Sequence, residues 1–295
     1  MSIRSILAGV GITVALAACG SSTSTGGAAA GKTTGGHGTV TVLYAGSLEN
    51  LMERELGPAF ARADGYAFEG FGAGSTELVA QIKGGIRRGD VFISASPKAN
   101  KGLEGPGNGN WSNWYITFAR APLVIGYNPQ SRFASQFRSK PWYEVITQPG
   151  IRVGITDPKL DPKGKLTVAA LTDAAAALRM PSLAHALSKF TVFPEETLVG
   201  RLEAGQLDAG FFYTVEAKDQ HIPTVALTPI KQDATYTVTI LKGAPDPRGA
   251  RAFVSFLLGA SGRALLKEHG LTVIAPTLTG SSAAVPANVR ALIGG

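Results

Sequence analysis

From Thr39 onward the chain alternates short β-branched and aromatic runs with stretches in which apolar residues recur at helical spacing. Thr39 to Ala45 (TVTVLYA) reads as a strand that turns at Gly46. Leu48, Leu51, Met52, Leu56, Ala59 and Phe60 then mark a helix stopped by Gly65. The arrangement repeats: Tyr66 to Phe71 is a strand, Gly72-Ala73-Gly74 a turn, and Ser75 opens a helix carrying Leu78, Val79 and Ile82. Asp90 to Ser94 (DVFIS) is a third, buried strand, and Leu103 to Asn110 a Gly-rich loop. Trp114 to Arg120 and Pro122 to Tyr127 read as the strands that leave this first group.

A second group begins at Ile151 to Ile155. Two prolines and a glycine make Asp157 to Gly164 a loop, followed by an Ala-rich helix, Leu166 to Leu178. Glu195 to Glu203 is a further helix that starts near Pro194 or Thr197. Leu207 to Tyr213 is a strand with a helix from Thr214, and Pro223 to Leu227 is another strand. Ala234 to Leu241 alternates and carries the chain back to the first group. Helices Pro247 to Leu258 and Ser261 to His269 follow, with Gly270 as a stop. Strands separated by helices imply βαβ units, an α/β fold and largely parallel sheets. The segments divide into one lobe at residues 39–121 plus 237–295 and a second at 122–236, with a cleft between them.

The first 38 residues have a different character. Arg4 precedes a stretch of only twelve residues, Ser5 to Leu16, too short to span a bilayer. This reads as an export signal over residues 1–18, and Leu16-Ala17-Ala18-Cys19-Gly20 resembles the bacterial lipobox, with lipidation of Cys19, the alternative being a buried or incidental thiol after a short apolar stretch. Cys19 is the only cysteine, which excludes an internal disulfide and a Cys-rich metal site. Residues 19–38 form a Gly/Ser/Thr/Ala tether. Gly26 to Thr33 satisfies GxxxxGK[ST], but neither flank can supply the strand and helix a nucleotide site needs.

Composition narrows the function. The chain has 295 residues, is 44% hydrophobic and carries a diffuse net charge of +7, which becomes 7 − 1 = +6 once Arg4 is removed. No Lys/Arg run is interleaved with aromatics, so nucleic acid is not the partner. The four His residues lack ligand spacing, GxSxG is absent, and no cofactor or free-cation site is called for. Gly70 to Gly74 is not GxGxxG and has no downstream acid for a ribose. Trp111, Trp114, Trp142 and Tyr143 are core, with sugar stacking the alternative.

The chemistry lies where strands feed helices. A helix start leaves backbone N–H groups free, and Gly46-Ser47 and Gly74-Ser75 place a hydroxyl beside them twice, a pattern suited to one small anion. The alternative for Ser47 and Ser75 is a plain N-cap. Ser94 and Ser96 stand at a third strand end, and Tyr213 is either a ligand contact or core with a satisfied hydroxyl.

Ala45-Gly46-Ser47-Leu48, Ala73-Gly74-Ser75, Asn113-Trp114-Tyr115, Phe118-Ala119-Arg120, Asp161-Pro162-Lys163-Gly164, Gly205-Gln206-Leu207-Asp208 with Tyr213, and Ala264 to Gly270 together resemble the extracytoplasmic solute-binding proteins of ABC importers, in their molybdate/tungstate-binding branch with its archaeal-type tungstate binders. The resemblance spans most of residues 39–280 and implies a periplasmic-binding-protein-like fold of type II. It implies an oxyanion ligand, an ABC permease with its ATPase as partner, a monomer, and no catalysis. It assigns Ser47 and Ser75, with Gly46 and Gly74, as donors. The Asp161 loop, the helix start near Glu196 and Thr197, and Tyr213 would close the site.

Asp161 matches a carboxylate that expands the metal's coordination in the tungstate-binding relatives, the alternative being an Asx-type cap. Their second carboxylate falls where this chain has Phe212; Glu216 is the nearest acid downstream. Lys163 and Lys165 also depart from the family pattern, either to admit another anion or to face solvent. The same fold with sulfate, a secreted Ser hydrolase with His beside Ser47 or Ser75, and an adhesion or sensor lipoprotein with an empty cleft are the competing functions.

Overall fold

The computed structural model describes residues 37–293, so the export signal, Cys19, the tether up to Gly36 and the GxxxxGK[ST] match lie outside the described residues. Strand β1, Thr39–Ala45, runs parallel to β2, Ala67–Ala73, and β3, Val91–Ser94. From Gly46 to Asp64 the crossover is helical throughout, with a wider π turn over Met52–Leu56, and it ends at Gly65 with φ +73°. Leu48, Leu51, Met52, Leu56 and Phe60 are its buried face, as the spacing predicts. The helix Ser75–Lys83 returns the chain from β2 to β3.

The strands expected to leave the first group are one strand, β4, Trp114–Tyr127. Pro122 lacks the N–H for a ladder bond, yet the strand runs through it at the point where β4 changes neighbours. The second group holds β5, Val153–Thr156, β6, Thr191–Phe193, and β7, Ala209–Tyr213, all parallel. β8, Thr224–Ala226, and β9, Asp233–Ile240, follow, and β10 is Thr272–Gly280.

The first half of β4 pairs antiparallel with β9 and β10 (Ala119 opposite Tyr236, Arg120 opposite Thr272), while Leu123 to Tyr127 pair antiparallel with β7. β9 also pairs with β3. Each lobe is thus a parallel trio of strands extended by antiparallel ones, and β4 is common to both sheets.

One local expectation needs correction, and one alternative falls away. The segment 157–164 is not loop to its end: the helix Pro162–Ala177 starts inside it, with Asp161 as N-cap and Pro162 in its first turn. Ser47 and Ser75 are not N-caps. Ala45 and Gly74 hold those positions, so neither hydroxyl is spent on a cap. Trp114 and Trp142 are buried, the latter donating its indole N–H to Thr228 C=O at 2.9 Å.

The strand directions determine where the chemistry gathers. Gly46 and Ser47 follow the carboxyl end of β1, and Gly74 and Ser75 that of β2. Asp161 and Lys163 follow β5, Glu195 follows β6, and Glu216 follows β7. Residues from both sheets therefore meet beyond the carboxyl ends of parallel strands, where open α/β sheets bind ligands.

Candidate functional site

The lobes touch at two glycines. A Cβ on Gly46 would lie 1.6 Å from Glu195 Oε2, and one on Gly74 would lie 2.8 Å from Leu160 O and 3.2 Å from the Asp161 Cβ. A side chain at either position would hold the lobes apart. The junction is reinforced where Glu77 N–H, in the first turn of its helix, donates to Leu160 C=O at 3.0 Å. Lys165 Nζ donates to Thr76 Oγ1 at 3.0 Å, so this lysine bridges the lobes, and burial lowers its pKa. Gly70 and Gly72 lie instead against the Tyr44 ring, leaving room for it.

Between the glycines sits a buried ionic cluster. Lys163 is fully buried, and its Nζ donates to Glu195 Oε1 at 3.0 Å and to Glu216 Oε1 and Oε2 at 2.7 and 2.8 Å. It neither faces solvent nor holds its charge free for an anion, contrary to both readings of the sequence. Glu216 Oε1 also accepts Tyr213 N–H at 2.7 Å, tying the helix Thr214–Asp219 to the end of β7. Asp161 Oδ1 accepts Lys163 N–H at 3.2 Å, while Oδ2 is buried without a partner. The cap and the free oxygen coexist on one carboxyl. Thr156 Oγ1 neighbours that carboxyl but stops short of hydrogen-bond geometry.

One ammonium faces three carboxyls. Burial pushes Glu195 and Glu216 up to about 7 against the pull of Lys163, and it raises Asp161 as well. Burial disfavours the Lys163 ammonium too, but Glu195, Glu216 and Asp161 together raise its pKa and keep it charged.

The hydroxyls complete the site. Ser75 Oγ accepts Ala95 N–H at 3.1 Å, which leaves its hydrogen free. Ser47 Oγ lies 2.9 Å from Tyr236 Oη. The Tyr213 hydroxyl is buried with no partner, and burial raises its pKa well above the usual tyrosine range, so it remains a donor. Among the described residues neither hydroxyl hydrogen-bonds a histidine; Ser47 meets Tyr236 and Ser75 meets Ala95. Thr197 is turned away: its Oγ1 donates to Pro194 C=O at 3.1 Å within its own turn. Ser94 bonds Thr237 and Asn100, and Ser96 caps a short helix, so both are committed locally.

Two cavities flank Glu195. One of about 380 Å³ is bordered by Gly46, Ser47, Glu49, Glu203 and Glu216, the other of about 330 Å³ by Gly74, Leu160, Asp161 and Phe193. Of the residues from the sequence reading, Ser47, Asp161 and Glu216 border these cavities with Gly46 and Gly74, while Ser75, next to Gly74, and Tyr213, whose pKa Asp161 and Glu216 help raise, are buried and line neither. Glu195 and Tyr236 belong to the site and were missed. Among the described residues no group of three or more His, Cys, Asp and Glu could hold a metal ion, and no helix is long and apolar enough to cross a membrane.

The bacterial extracellular solute-binding protein family model matches residues 40–272. The chain belongs to that family. This solute-binding protein is 31% identical to the putative ABC transporter molybdenum-binding protein of Haloferax volcanii, over 75% of its own chain and 67% of the relative. It is 24% identical to the molybdate/tungstate-binding protein WtpA of Thermococcus kodakarensis, over 86% and 87%. Its fold matches the periplasmic molybdate-binding protein of Azotobacter vinelandii with a TM-score of 0.62 at 20% identity, covering 80% and 99% of the chains. The sulfate-binding protein SubI of Mycobacterium tuberculosis matches with a TM-score of 0.65 at 15% identity, covering 81% and 88%. These structures share the two-lobed, periplasmic-binding-protein-like fold.

Proposed function

We propose that this solute-binding protein captures molybdate or tungstate between its lobes and delivers it to the permease of an ABC importer. The observation that carries the reading is the pair of buried carboxylate oxygens without partners, Asp161 Oδ2 and Glu195 Oε2, in a site that also offers the hydroxyls of Ser47, Ser75 and Tyr213. Hydroxyl and first-turn amide donors suit any tetrahedral oxyanion. A carboxylate oxygen that stays ionised repels an anion unless it bonds the central atom, whereas a protonated one donates to it. Molybdenum and tungsten accept further oxygen ligands, whereas the sulfur of sulfate does not. Relatives named for molybdenum and for molybdate/tungstate support the same choice.

Glu216, whose two oxygens are bound to Lys163, supports the cluster, and Glu195 offers the second free carboxylate oxygen. Residues 39–121 with 237–295 act as one lobe and 122–236 as the other, closing on the ligand by a hinge motion. The protein works as a monomer outside the cell membrane, held there through lipidated Cys19.

The test is calorimetric titration of residues 37–295 with tungstate, molybdate, sulfate and phosphate at equal ionic strength. Binding of tungstate or molybdate with no heat from sulfate is expected. Sulfate bound as tightly as either would keep the oxyanion site and remove the metal-centre reading, and silence towards all four would reject the oxyanion.

A further inference from the structure

Tyr236 enters the chain's pattern only as an inward residue of β9, yet its hydroxyl reaches the ligand wall. The residue is fully buried, its ring edge-on to Tyr213 with centroids 6.3 Å apart and an interplanar angle of 76°. Phe118 packs on it at 6.5 Å. Its hydroxyl makes one hydrogen bond among the described residues, to Ser47 Oγ at 2.9 Å, and that is also the only hydrogen bond of the Ser47 side chain there.

Chemistry sets the direction of this bond. A phenol is more acidic than an aliphatic alcohol, hence the better donor and the poorer acceptor. Burial raises the Tyr236 pKa well above the usual tyrosine range, so its proton is always present. Tyr236 therefore donates and Ser47 accepts. A serine hydroxyl has one hydrogen and two lone pairs, so a Ser47 that has accepted from Tyr236 keeps its hydrogen for the site.

We propose that Tyr236 is a positioning residue for ligand capture: by donating to Ser47 Oγ it aims the Ser47 hydrogen at the bound oxyanion. This rests on the oxyanion reading of the site. The ring contact with Tyr213 adds a second effect, since it holds the Ser47 wall of one lobe in register with the free Tyr213 hydroxyl of the other.

The experiment is a double-mutant cycle on the chain 37–295, read by titration with molybdate and tungstate. Tyr236→Phe removes only the hydroxyl and keeps the ring, and thermal unfolding checks that the variant folds. Its affinity should fall about tenfold, the factor one hydrogen bond of ordinary strength supplies. Ser47→Ala should lose more, and the double variant should match Ser47→Ala alone, because Tyr236 acts through the serine. A purely structural role would give additive losses and would show in the melting temperature. Unchanged affinity in Tyr236→Phe, or additivity in the double variant, overturns the proposal while leaving the oxyanion reading intact. A wild-type chain that binds neither anion overturns both.

Discussion

Replacing Gly46 by Ala should uncouple folding from ligand capture. The new Cβ would stand 1.6 Å from Glu195 Oε2 and 2.8 Å from its Cδ. A non-bonded carbon and oxygen need roughly 3.3 Å, so one side must withdraw by roughly 1.5 Å or more. Glu195 cannot simply swing aside, because it is buried and its other oxygen is held by Lys163 at 3.0 Å. The lobe carrying Glu195 must back away instead. Gly46 is not among the residues with a left-handed backbone, so Ala is admissible there when the lobes are apart.

Incomplete closure forfeits the bond from Glu77 N–H to Leu160 C=O, about 1 kcal/mol, and the second lobe's contacts to the anion. If those amount to two charge-assisted bonds at about 1.5 kcal/mol each, the total is about 4 kcal/mol, or about a thousandfold in Kd. Calorimetry with molybdate and tungstate measures the affinity, and small-angle scattering measures the compaction on binding. A variant that binds within threefold of wild type and compacts normally would refute the closure argument.

Other expectations follow from the same contacts. Glu195 and Glu216 titrate near 7 in the folded protein, above the ordinary carboxylate value, so the folded state binds protons more tightly than the unfolded chain. Their contribution is full below that ordinary value and is lost as pH rises through about 7. The melting temperature of the unliganded protein should therefore fall between pH 5.5 and 8.5, and a smaller fall in Glu195→Gln would tie it to this cluster; a flat or rising profile in wild type would contradict the assignment. Lys163→Met strips Glu195 and Glu216 of the buried ammonium bonded to both and should cost about 3–5 kcal/mol at pH 8, less at pH 6, by chemical denaturation; equal losses at both pH values would rule out charge as the cause. Asp208 accepts hydrogen bonds from Ser131 and from three Arg152 nitrogens, and Arg152 lowers its pKa against the cost of burial. Asp208→Asn should lose about 2 kcal/mol of stability with ligand affinity unaltered, and a changed affinity would place this corner within the binding machinery.

The strand–turn–helix units at Gly46-Ser47 and Gly74-Ser75 were legible because period and turn residue agree there. Glu195 was not, for a traceable reason. It lies just past a parallel strand like the other site residues, but that strand, β6, is three residues long with two of them exposed, too short and too wet to show a period. β10 escaped for another reason: Pro276 interrupts it, and its register with β4 shifts between Val273 and Thr277. The burial of Lys163 is a tertiary fact altogether. Its partners stand 32 and 53 residues away, and a lysine between Lys159 and Lys165 at the start of an Ala-rich helix gives no sign that two glutamates will close over it. Tyr236 was readable as an inward residue of an alternating strand, but alternation cannot say that a hydroxyl 189 residues away waits at its tip.

The shared strand β4 also governs when the molecule can be finished. Its partners β7, β8, β9 and β10 all come later in the chain, and the earliest of them begins at Ala209. β3 likewise waits for β9, which begins at Asp233. A chain emerging from its amino end therefore cannot close either sheet until most of its length is out. These pairings are non-local, so loop-closure entropy delays them further. The strand order itself therefore defers compaction of both sheets until the chain through β9 has been made.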